Sequence, residues 1–142
     1  MLDRQSLDVG ADRIARTAQR APKLMNELAE RLSTQISLAW DRQVTALAAI
    51  EVYPAATLAA YDIPARAYKE AEAESARKAI LDHLQKLLAV HCPTDSLLRD
   101  ADALDATVCV LAGADFLRGY AHPPDDPALA AKEGWIWNRL RI

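Results

Sequence analysis

The chain is poor in glycine and cysteine, carries no excess of positive charge and contains no long apolar run. Four glycines in 142 residues leave no glycine-rich loop to cradle a phosphate and no nucleophile elbow. The two cysteines, Cys92 and Cys109, share no metal-ligand spacing. Cys109 lies in an apolar helical stretch and reads as a small buried hydrophobe, and a reducing compartment is the default for such a chain. A formal net charge of −3 gives no global field to gather nucleic acid, so any such partner has to be met by a local patch. No segment approaches the roughly 20 apolar residues of a membrane span, so no membrane partner is expected. Met1 to Ser6 carry no apolar stretch of signal-peptide length, and a cytoplasmic location is the expectation.

What is present is enough for a single domain over residues 1–142 with a core of its own. Hydrophobic residues make up 51%; many are alanine, which lets layers pack closely. Residues 1–10 read as a polar lead-in. Asp12 can cap a helix from about Arg13, marked by Ile14, Ala18, Leu24, Leu28 and Leu32, with Pro22 interrupting it and a kink or break expected near Ala21. Ile36, Leu38 and Trp40 alternate like a short strand. Val44–Val52 is a continuous apolar run, which predicts a strand buried on both faces. Ala55–Tyr61 reads as a short helix and Asp62-Ile-Pro64 as a turn. A longer helix is predicted over Tyr68–Val90, with Ile80, Leu84, Leu87 and Leu88 on its apolar stripe and a Glu74–Lys78 pair across one turn. Thr94 or Asp95 caps a further helix, running to Arg118 and stopping at Gly119. His122–Pro127 is a rigid loop, Ala128–Lys132 a helical turn, and Glu133–Trp137 a terminal strand or docked tail. There are no internal repeats.

Two carboxylate signals stand out. Glu51 ends the apolar run, the position at which α/β sheets place their sites. Asp102 and Asp105 lie three apart beside the stripe of Leu97, Ala101, Leu104, Val108 and Leu111. No charge follows from Ala106 to Gly113, so this stretch is expected to be buried all round. Asp105 then stands at the entrance to a buried helix, where a carboxylate needs a partner, hydrogen bonds or a metal. The plainer alternatives are acids suiting a helix N-terminus, which Asp95 and Asp100 fit better than Asp105, and for Glu51 a strand-end carboxylate in water or paired with an arginine. Such a set of oxygen donors suits Mg²⁺ or Mn²⁺, the ions of two-metal phosphodiester hydrolysis.

Glu51-Val-Tyr-Pro-Ala-Ala56, Arg66-Ala-Tyr-Lys69, Asp102-Ala-Leu-Asp-Ala106 and Glu133-Gly-Trp-Ile136 occur in an order that resembles domain-of-unknown-function family 429, described as predicted RNase H-like nucleases. The resemblance implies an α/β fold: a partial RNase H-like (RuvC-like) domain, helix-rich, with one central buried strand and one or two short ones. It implies Glu51 as the acid of the fourth strand, Asp102 and Asp105 as acids of the C-terminal helix, and Glu51 and Asp105 as metal ligands for Mg or Mn. Lys69, in the matching Tyr-Lys pair, would steady a phosphate as a substrate-binding residue; the alternative is a solvated lysine at a helix start. The family's first strand bears a Gly-x-Asp motif that this sequence lacks. The chain resembles the C-terminal half of such a protein, and a two-metal site would need that aspartate from elsewhere. The function expected is a metal-dependent nuclease, incomplete in this chain. The alternatives are a non-catalytic interaction module that oligomerises through an incomplete sheet, or an enzyme of small phosphorylated metabolites. The partners expected are nucleic acid, a second copy, or a chain supplying the missing half.

The remaining candidates read as structural. Arg77 is expected at the surface or in an ion pair. His83, His91 and His122 have no partner at ligand spacing. Trp135 and Trp137 alternate, so one packs inward and one outward, and core packing outweighs a base-stacking role.

Overall fold

The structure is a computed structural model that describes residues 11–44, 46–89 and 93–140, the side chains of 11–19 excepted. The polar lead-in, the Asp12 cap, His91 and Cys92 lie outside what is described. The elements run α1 (Ala11–Leu32), β1 (Ser37–Leu38), β2 (Ala48–Ala49), α2 (Pro54–Ala60), α3 (Glu74–Leu87), α4 (Thr94–Arg99), α5 (Ala101–Leu117) and α6 (Pro127–Glu133). β1 and β2 pair as a two-stranded sheet. The fold is thus a helix-rich, partial α/β fold.

Two compact units can be distinguished. The first holds residues 11–37 and 46–49, with α1 as its main element. Pro22 lies inside α1 without ending it, so of the kink or break expected there the break does not occur. The missing N–H forfeits one bond of a 22-residue helix, and Pro22 stands on an exposed face of it. Leu24, Leu28 and Leu32 of this helix are exposed.

The second unit holds residues 38–44, 50–89 and 93–140. Here α5 packs against α2, α3 and α4, and α3 also packs on α4. Leu58 of α2, Ile80, Leu81 and Leu84 of α3, Leu97 of α4, and Leu104, Val108 and Leu111 of α5 form one buried cluster with Ile63 and Tyr68. The stripe predicted around Leu104, Val108 and Leu111 is therefore the core-facing side of α5. That helix is not buried all round, since Ala106 and Val110 are exposed.

Three element boundaries differ from the sequence reading, each for a local reason. The strand over Val44–Val52 shrinks to Ala48–Ala49, half-buried, with Val44 and Leu47 exposed. An alanine-rich run has strand length, but too little side-chain surface to bury on two faces. The helix expected from Tyr68 starts at Glu74, because the carbonyls of Tyr68, Glu70 and Ala71 are taken by the Arg77 guanidinium. The single helix expected over 94–118 is two, with Asp100 extended between them and its side chain accepting from the N–H groups of Asp102 and Ala103. The Glu74–Lys78 pair is replaced by Lys78–Asp82 at 3.1 Å.

The C-terminal segment docks on the second unit through backbone pairing. Ile136 forms an isolated parallel bridge with Glu51, and Arg139 an antiparallel one with Ala121. Trp137 is buried, its indole N–H donating to the Ala39 carbonyl at 3.0 Å and its ring meeting Phe116 edge-on. Trp135 is partly exposed, so the inward–outward alternation of the two tryptophans is as expected.

Candidate functional site

Asp105 sits in the second turn of α5, on the flank of the Leu104–Val108–Leu111 stripe, with 15% of its side chain exposed. Both of its oxygens are engaged. The Tyr68 hydroxyl donates to Oδ1 at 2.6 Å, and the Lys69 ammonium lies 2.7 Å from Oδ2. Tyr68 is buried, whereas the Lys69 side chain is 55% exposed. The cluster therefore has a dry side built by a phenol and a wet side built by an ammonium. Two residues singled out separately in the sequence, Asp105 and Lys69, converge here from different elements.

The loop that delivers Tyr68 and Lys69 is pinned from behind. Arg77 in the first turn of α3 is buried rather than at the surface, and it forms no ion pair among the described residues. Its guanidinium donates to the carbonyls of Tyr68 and Glu70 at 2.8 Å and of Ala71 at 3.1 Å, and also to that of Leu98. A buried cation is tolerated when its donors are satisfied. Here it replaces the helical bonds that this stretch would otherwise make. Just ahead of Tyr68, Ala67 has φ of +58°, a left-handed conformation that costs a residue with a Cβ about 1–2 kcal/mol. The backbone around Lys69 is thus set by Arg77 and by the turn at Ala67.

Burial, and then the hydrogen bond to Asp105, raise the Tyr68 phenol above its ordinary value, so it stays protonated and remains a donor. Cys109 lies one turn beyond Asp105. Its thiol is raised by burial and secondarily by the Asp105 charge, so it remains a neutral thiol rather than a nucleophile.

The other predicted acids do not join this cluster. Asp102 is exposed on the first turn of α5. Glu51 is exposed too; its carbonyl accepts from the Trp137 N–H at 2.9 Å. Its Oε2 lies 3.6 Å from where a Cβ on Gly134 would stand. Gly134, with φ of +89°, ends α6 at this close approach. Among the described residues, no group of three or more His, Cys, Asp or Glu side chains could hold a metal ion. Asp105 is thus not part of any group of described side chains that could hold Mg²⁺ or Mn²⁺, and the residues as arranged do not fit either ion.

A second polar centre escaped the sequence reading. Asp115 of α5 is fully buried and receives the Tyr61 hydroxyl at 2.7 and 2.8 Å and the Arg139 guanidinium at 2.9 Å. Arg139 also donates to the Tyr61 oxygen at 2.9 Å and lies over the rings of Tyr61 and Tyr120. The signal was present. Asp115 follows Leu104, Val108 and Leu111 at steps of four, three and four, so it occupies a core position of α5.

The fold and its acids thus define a helix-rich α/β module with an aspartate–tyrosine–lysine centre at the edge of its core. The family model for a protein of unknown function, DUF429, matches residues 4–129, and the chain belongs to that family. No curated protein and no solved structure matches it.

Proposed function

We propose that this chain is a C-terminal RNase H-like module, related to metal-dependent phosphodiester hydrolases, that does not hydrolyse phosphodiesters by itself. Asp105 takes the place of an acid of that fold's C-terminal helix. Lys69, which the resemblance assigns to phosphate, is turned onto Asp105 instead. The observation that carries this reading is the engagement of both Asp105 oxygens by Tyr68 and Lys69. Glu51 and Asp102 remain candidate acids for a site completed by a further chain, with Mg²⁺ or Mn²⁺ as the ion such a site would take.

The test is an incubation with single- and double-stranded DNA and RNA in Mg²⁺ or Mn²⁺. The wild type should leave all four substrates intact. Cleavage that is lost in Asp105→Asn, with the melting temperature kept, would overturn the proposal and make the chain a nuclease in its own right.

A second reading is that the module works by association with a second copy. Leu117 and Val110, seven residues apart on α5, are 81% and 62% exposed, and so lie on one uncovered apolar side of the helix. This surface is an alternative to the incomplete sheet, whose strands β1 and β2 have two residues each. Sedimentation velocity at micromolar concentration decides it: a dimer that Leu117→Lys dissociates supports association, and a monomer of wild type removes it.

A further inference from the structure

We propose that α1 is a dimerisation helix: its apolar face pairs, antiparallel, with the same face of α1 from a second copy of this chain. Association through Val110 and Leu117 would use a different helix, and the pairing of α1 does not depend on it.

A helix with an apolar stripe has to bury that stripe against another element, and most of a helix's stability in water comes from doing so. The first unit has no core of its own to offer. Among its described side chains none is buried, and Leu24, Leu28 and Leu32 are 57%, 39% and 57% exposed. Met25 and Ala29, on the same side of the helix, are half-buried.

The spacing of the face identifies its occupant. Ile14, Ala18, Ala21, Met25, Leu28 and Leu32 follow one another at steps of four, three, four, three and four. That alternation is the seam of a two-helix coiled coil. Leu24 and Ala29 flank it. Every charged residue of α1 other than Arg31 falls outside the seam and its flanks, so closing the seam strips water from no charge. Arg31 lies in the last turn, where its long stem can reach solvent. Pro22 is at a flanking position, not a seam step.

The same residues select the direction. In a parallel pair Ala18 and Ala21 would each face themselves, which leaves half of the seam thin. Arg13, Arg16, Arg20 and Lys23 of the two copies would then run side by side. In an antiparallel pair Ala18 stands level with Leu28 of the second copy, Ala21 with Met25, and Ile14 with Leu32. Small against large in each layer is how facing helices fill the space between them. This direction also lays the basic first half of α1 along the second half, which carries Glu27 and Glu30, and it opposes the two helix dipoles. The two-fold axis passes level with position 23, with Leu24 of each copy beside it. Such a contact uses one patch on both chains and closes at two.

Sedimentation velocity of the full chain over about 5–200 µM reads the pairing by mass action. Wild type should pass from monomer toward dimer as concentration rises. Leu28→Lys places a charge in the seam and should raise the dissociation constant at least about tenfold, with the far-ultraviolet circular dichroism kept. Leu117→Lys should leave the dimer unchanged. Direction is read with Leu24→Cys in a chain that also carries Cys92→Ser and Cys109→Ala. A short bis-maleimide should link it into covalent dimers, because flanks of this kind lie together in an antiparallel pair and on opposite sides of a parallel one. A wild-type monomer over the whole range would overturn the proposal. A dimer lost in Leu117→Lys and kept in Leu28→Lys would seat the second copy on α5 and overturn it too. A dimer weakened by Leu28→Lys that gives no crosslink would overturn the antiparallel arrangement.

Discussion

A carboxylate taken out of water must be met by donors or by charge, and Asp105 and Asp115 of α5 differ in how much depends on each partner. Lys69 is more than half exposed and Asp105 partly so, so screening leaves this pair worth no more than about 1 kcal/mol. Asp115 is fully buried, with Arg139 largely so; removing Arg139 would strand a buried charge at a cost of about 3–5 kcal/mol. Urea denaturation should therefore show Arg139→Ala far more destabilising than Lys69→Ala. Equal losses would mean that burial does not govern these pairs. Tyr68 gives a pH signature of its own. Its folded pKa lies above the ordinary value of 10.0, so the folded state holds its proton more tightly. That contribution is complete below about pH 10 and fades as the pH rises further. Tyr68→Phe should cost about 1–2 kcal/mol near neutrality. It should also flatten the loss of stability as the pH rises above about 10, measured as the difference from wild type.

Helix starts are where this sequence speaks most plainly. Asp100 and Asp126 each accept two backbone N–H groups, at the starts of α5 and α6, and Pro54 opens α2. Asp100→Ala should lower stability by about 1 kcal/mol, the usual value of such a cap, and circular dichroism melts would read it. A neutral result would mean that packing of Leu104 and Val108 alone places the helix. The same elements show what was legible. The helix after Pro54, the end of α5 before Gly119 with φ of +76°, and the core stripe of α5 were readable, because each rests on local chemistry or on helical period. The start of α3 was not, because Arg77 claims carbonyls six to nine residues before it, a contact that no local pattern announces. The strand over Val44–Val52 is shorter than its apolar length implies, because its alanines lack the bulk that a two-faced strand has to bury. Of the site, Asp105 and Lys69 were legible as single residues. Their pairing was not, since 36 positions of sequence separate them and a turn at Ala67 brings them together. Asp115 could have been found by asking which face of α5 it occupies.

For the molecule as a whole, charge and site point the same way. Net charge is −3, so no long-range field steers a polyanion toward it. The Lys69 ammonium is paired with Asp105, while Glu51 and Asp102 stand exposed and repel a polyanion. Non-specific binding of nucleic acid by basic proteins has Kd values of roughly 10⁻⁴–10⁻⁶ M at physiological salt, and it weakens steeply with salt because counterions are released. This chain should fall at or beyond the weak end of that range. Fluorescence anisotropy with a labelled single-stranded oligonucleotide should show no saturation below about 10⁻⁴ M at 150 mM-scale salt, and little change in slope as salt is lowered. Asp105→Asn frees the Lys69 ammonium, so it should strengthen binding slightly, by one phosphate contact. Tight binding by the wild type with a steep salt dependence would reveal a basic patch strong enough to overcome the net charge, and would return the chain to the nucleic-acid-handling role that its family resemblance implies.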